Sequence, residues 1–184
     1  QMCIRDRGIA HAVLGNIDEA LMQQSKLSDD VLALPEERII FHNDSKDVLE
    51  VAKRMLAGEL EYRRQNYEIA FDHLRQAVDC YDNLNYSEPW SWMMPPRHAL
   101  GALLLEQGHI DEATKVYRAD LGLDDTLVRP SQHPANIWSL LGYAECCERL
   151  GDVGNLESIR SELNHAKQIA DTSIQVSCFC RIQH

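Results

Sequence analysis

Long apolar runs are missing from this 184-residue chain: the longest, Ala99 to Leu105, falls far short of the roughly 20 residues a membrane-spanning helix needs. Excess positive charge is missing too. Eighteen Lys and Arg stand against 29 Asp and Glu, and the net charge of −11 opposes attraction to phosphate backbones and to anionic lipid. Neither nucleic acid nor a membrane is expected as a partner. The six cysteines do not form the evenly spaced framework of a secreted module: Cys3 and Cys80 stand alone, Cys146 and Cys147 are adjacent, and Cys178 and Cys180 lie in the tail. Reduced thiols in a cytoplasm are the expectation. No Ser/His/Asp, His-Glu-x-x-His or phosphate-loop arrangement is visible. No catalytic residue and no cofactor is therefore assigned.

What the chain does have is a recurring spacing of small residues. Gly8, Gly15 and Ala20 repeat as Gly101, Gly108 and Ala113, and Gly58 with Ala70 keeps the interval from first glycine to alanine. Such self-similarity points to helix pairs that touch closely and stack. In the clearest copy, Pro95-Pro96 precedes an apolar stretch through Leu105, and Gly108 closes it, as proline suits a first turn and glycine the residue past the last one. Asp111-Glu112 then opens a second segment at the positive end of a helix dipole, with Ala113, Val116, Tyr117 and Leu121 at helical spacing. The spacing predicts that Gly101 and Ala113 meet where the two helices cross. A further pair runs from His133-Pro134 through Trp138 to Gly151 and on to Leu163, and an earlier one spans about Val48 to Tyr81.

The pattern of a small residue, a glycine seven later, an alanine five later, then a large residue and another small one resembles the tetratricopeptide repeat. Gly8-Gly15-Ala20, Gly58-Ala70-Leu74-Ala77 and Gly101-Gly108-Ala113-Tyr117 carry the resemblance, with Ala144 and Gly151 matching two more positions. It implies an all-α fold, a solenoid of antiparallel helix pairs. Ala20, Ala70 and Ala113 are 50 and 43 residues apart, against about 34 in that family, so long connectors are expected. A single repeat domain is read over 8–170, its first repeat truncated, with a tail over 171–184. The stretch from Glu88-Pro89-Trp90 to Arg97-His98 is similar to one in bacterial repeat proteins of no known activity. Residues 2–7, Met-Cys-Ile-Arg-Asp-Arg, resemble the in-frame translation of a transposase adaptor used in sequencing libraries, so 1–7 are set aside from fold reasoning.

By the resemblance, the first helix of each pair lines the concave surface. This face would present Met55, Glu59, Tyr62 and Arg63, then His98, Leu105 and Glu106, then Trp138, Leu141, Glu145, Glu148 and Arg149. The mixture is amphipathic and mildly acidic, suited to a protein or peptide ligand with apolar anchors and some positive charge. The family's carboxylate clamp of lysines and asparagines is not matched, since Met55, Glu59, His98 and Ala102 stand there. The connector Tyr86 to His98 holds Trp90 and Trp92, and two readings apply: a groove wall, or aromatic plugs filling the gap beneath a long connector.

The expected function is noncatalytic protein or peptide binding, or scaffolding. The candidate contacts are Tyr62, Arg63, Trp90, Trp92, Arg97, His98, Trp138 and Glu145. The alternative is an enzyme using Arg97-His98, or a zinc or copper site in which Cys178, Cys180 and His184 are completed by Cys146, Cys147, His133 or His165, although a one-residue gap between cysteines suits zinc poorly. Self-association through the truncated first repeat is a third reading.

Overall fold

Four times in the computed structural model, which describes residues 2–181, a helix ends on a residue with positive φ and the next helix starts two residues later. The residues are Gly15, Gln65, Gly108 and Gly151, with φ of 79°, 65°, 81° and 69°. At each, the N–H returns to the carbonyl three back, and the following N–H returns to the carbonyl five back, as in Gly108 to Leu105 and His109 to Leu104. These bonds satisfy carbonyls that the end of the first helix leaves open. Glycine reaches this left-handed backbone without steric cost, and Gln65 adopts it in the second pair.

Mostly helical among the described residues, the chain has eight α-helices and one two-stranded ladder. It divides into two compact units, 1–96 and 97–184. None of its described helices is long and apolar enough to cross a membrane.

The first unit contains α1 (Met2–Val13), α2 (Ile17–Leu32), β1 (Ile39–Ile40), β2 (Asn43–Asp44), α3 (Ser45–Arg63) and α4 (Tyr67–Asp82). Residues 2–7 form the first half of α1, with Ile4 and Arg5 buried. Helix α1 packs on α2 and α3, α2 on α3, and α3 on α4. A Cβ on Gly58 would lie 2.6 Å from Leu74 Cγ and 3.1 Å from the Ala70 carbonyl, so the small residue admits the neighbouring backbone there. Leu56, Leu60, Ala70, Leu74 and Ala77 are fully buried around it.

The ladder β1–β2 was not foreseen from the residue pattern. Ile40 pairs with Asn43, and the reversal between them uses Phe41 at φ 54°. Buried Asn43 then fastens the connector after α4: its amide donates to the Asn85 carbonyl and to Ser91 Oγ, both at 2.9 Å, while its Oδ1 accepts from the Asn85 N–H at 2.6 Å. Three bonds from one side chain satisfy polar groups in a long irregular segment.

The second unit contains α5 (Pro96–Glu106), α6 (Ile110–Leu121), α7 (Ile137–Leu150) and α8 (Val153–Ile169), with single 3-10 turns at Arg129–Ser131 and Phe179–Arg181. Helix α6 packs on α7, and α7 on α8. The nearest neighbour of Gly101 is not Ala113 but the ring one turn beyond it: a Cβ on Gly101 would fall 2.5 Å from Tyr117 Cζ. Gly142 of α7 abuts the same ring. Tyr117 is fully buried, and its hydroxyl donates to Ser177 Oγ at 2.8 Å. Burial pushes its phenol far above the ordinary range, outweighing the opposing bond to Ser177.

Candidate functional site

Helix α7 begins on Asn136, whose side-chain oxygen accepts from the N–H groups of Trp138 at 3.0 Å and Ser139 at 3.4 Å. Its buried side carries Ser139, Leu140, Gly142, Tyr143, Cys146 and Cys147. Trp138, Leu141 and Glu145 are half-buried and follow the three- and four-residue steps that share a helix face.

This face meets the segment after α8. The Trp138 and Phe179 rings pack edge to face with centroids 4.7 Å apart. Arg181 donates to both oxygens of Glu145, through Nη1 at 2.6 Å and Nη2 at 3.1 Å. Arg149 Nη2 donates to the same carboxylate at 2.5 Å, while its Nη1 reaches the Leu105 carbonyl at 2.8 Å and so fixes the guanidinium against α5. Partial burial acts to raise the Glu145 carboxyl, but the bonds and charges of Arg181 and Arg149 hold it below its usual value. Between Thr172–Gln175 and the helix residues Ile137, Leu141 and Lys167 lies a cleft of about 340 Å³.

The remaining candidates are dispersed. In the first unit, Tyr62 is buried edge to face against Tyr67 and Phe71, at centroid distances of 5.1 and 6.2 Å, with the Arg63 guanidinium 5.5 Å over its ring. Arg63 also stands 4.0 Å from buried Glu59. Trp92 is buried with the Arg5 guanidinium 5.6 Å above its ring, which agrees with an aromatic plug, whereas Trp90 is exposed. In the second unit, Arg97 is buried and His98 is half-buried. Tyr62, Trp92 and Arg97 thus lie within their units, packed by neighbours rather than presented to solvent.

Cys178 and Cys180 are placed side by side in the arrangement of a disulfide, and a bond between them would leave neither thiolate for a metal. Cys3, Cys80, Cys146 and Cys147 are free thiols, and burial raises the Cys146 thiol to about 11. Among the described residues, no group of three or more His, Cys, Asp or Glu is placed to hold a metal; His184 lies outside them.

A site not picked from the sequence lies at Asp120, which is wholly buried. Its carboxylate accepts from Ser139 Oγ at 2.5 Å and contacts His133 Nδ1 at 2.8 Å and His98 Nε2 at 3.3 Å, while its backbone carbonyl accepts from the His133 N–H at 2.6 Å. Burial alone would raise this carboxyl. The bonds and charges of His133 and His98 outweigh it and hold the group well below the usual carboxylate range. The Ser139 hydroxyl donates to Asp120 and is buried with it. The cluster joins α5, α6, the following connector and α7 through one carboxylate. A signal for it was present: Asp120 stands seven residues after Ala113, the position at which Ala77 follows Ala70.

No protein-family model, curated protein or solved structure matches this chain.

Proposed function

We propose that the chain is a noncatalytic binding module of tetratricopeptide-like solenoid type, holding a protein or peptide segment against the outward face of a first helix. The observation that carries this reading is the pairing on α7 of a half-buried indole and a half-buried carboxylate two turns apart, Trp138 and Glu145. An aromatic wall beside an anionic anchor suits a ligand with an apolar group and a basic one, because rings and charge-assisted bonds provide contact energy at low ordering cost. The four equivalent helix-to-helix turns support the repeat class.

Selection from a displayed peptide library against the full chain tests the proposal. Sequences combining an aromatic with Arg or Lys should be enriched, and a Trp138→Ala/Glu145→Gln chain of unchanged helicity should not enrich them. Equal enrichment on both proteins would move the site elsewhere, and none on either would remove the binding role.

A further inference from the structure

The α7 face is occupied by the chain itself. Phe179 supplies the ring on Trp138, and Arg181 supplies the bidentate guanidinium on Glu145. Resting on the proposed binding role, we infer that the preferred external ligand is an extended segment of pattern aromatic-x-arginine, and that residues 177–181 hold the face as a resident substitute that such a segment displaces.

Three features favour a displaceable occupant over a permanent part of the core. Phe179 keeps 62% of its surface exposed although it lies on Trp138, so its seat is shallow. Upstream, Thr172 to Gln175 stand off the helices and leave the cleft of about 340 Å³ beneath them. The receiving side is preset, since Arg149 is tied to the Leu105 carbonyl and orients Glu145 independently of the tail. Charge selects the partner: Arg181 lies within the field of both Glu145 and Glu106, so a lysine or neutral residue forfeits either the fork or the charge. Ser177 is the deeper anchor, buried on the Tyr117 hydroxyl, and forms the point about which the exposed end swings.

A resident segment taxes an external one, because apparent affinity falls in proportion to the fraction of chains with the face open. The test uses the full chain and a fluorescein-labelled peptide of residues 171–181. A Phe179→Ala/Arg181→Glu chain, whose changes touch exposed or half-buried side chains, should bind this peptide at least about tenfold more tightly than the unaltered chain. Adding Glu145→Gln to that variant should abolish the gain. Equal affinity in the unaltered and double-variant chains, or no binding by a double variant of normal helicity, overturns the inference. The library selection separates the two readings: if it still enriches ligands that need Trp138 and Glu145, the binding role stands and only the substitute role of the tail falls. An unaltered chain that sediments as a dimer at micromolar concentration, with the double variant monomeric, would assign the occupant to a second copy and likewise overturn the assignment.

Discussion

Replacing Gly101 with alanine sets two effects of opposite sign against each other. Alanine is favoured over glycine inside a helix by about 1 kcal/mol. At this position, however, the new Cβ would lie 2.5 Å from Tyr117 Cζ and 2.9 Å from both Cε atoms. Carbon atoms in ordinary contact sit about 3.5–4.0 Å apart, so the ring must retreat by about 1 Å. Gly142 approaches the same ring, and the hydroxyl is bound to Ser177 at 2.8 Å, so the retreat overpacks α7 or stretches that bond. Overpacking costs about 1–3 kcal/mol and the bond contributes about 1 kcal/mol, leaving a net loss of about 1–3 kcal/mol after the propensity gain. Urea denaturation followed by far-UV circular dichroism measures it, and an unchanged slope would attribute the shift in midpoint to stability. In a Tyr117→Leu background the loss should shrink. A Gly101→Ala chain as stable as its parent would show that the ring yields freely, and the close contact would then play no part in stability.

Two further outcomes follow from other residues. Gln65→Gly should raise stability by up to about 1 kcal/mol, since glycine relieves the left-handed strain without losing a buried contact; a lower urea midpoint would refute this. Asp120 has a folded-state value below its unfolded one, so its contribution is complete above pH of about 4 and lost as pH falls from there toward the folded value. Asp120→Asn should lower stability at neutral pH and flatten the acid-side decline between about pH 4 and 2; an unaltered decline would place its origin in other carboxylates.

The helices were legible because glycine at positive φ and small residues at crossings are local signals. Gly15, Gly108 and Gly151 mark turns directly, whereas Gln65 carries the same backbone with no marker in its side chain. The Gly58–Ala70 interval reported a close approach, while at Gly101 the bulk of Tyr117 decides what lies nearest. Composition could not separate Trp90 from Trp92, since their unequal burial depends on how a long connector is laid down over its unit. Trp138 and Glu145 were picked through the repeat resemblance, and in the structure both lie on one face of α7. Their contacts with Phe179 and Arg181 were illegible, because a segment 36 or more residues away reaches them only by the path of the chain. Asp120 was not singled out, because its register holds no common residue type: Leu27, Ala77 and Leu163 stand there in the other pairs.

The shared turn geometry divides the chain into places that tolerate a change of length and places that do not. Within a pair, one residue inserted beside Gly108 would break the bonds from Gly108 to Leu105 and from His109 to Leu104 that fix how α6 leaves α5. In the irregular stretches 83–95 and 122–136, doubling the length would add only about 0.6 kcal/mol of closure entropy. Indels therefore belong at the handover from one pair to the next, which is where the spacing between hairpins can vary while each hairpin keeps its shape.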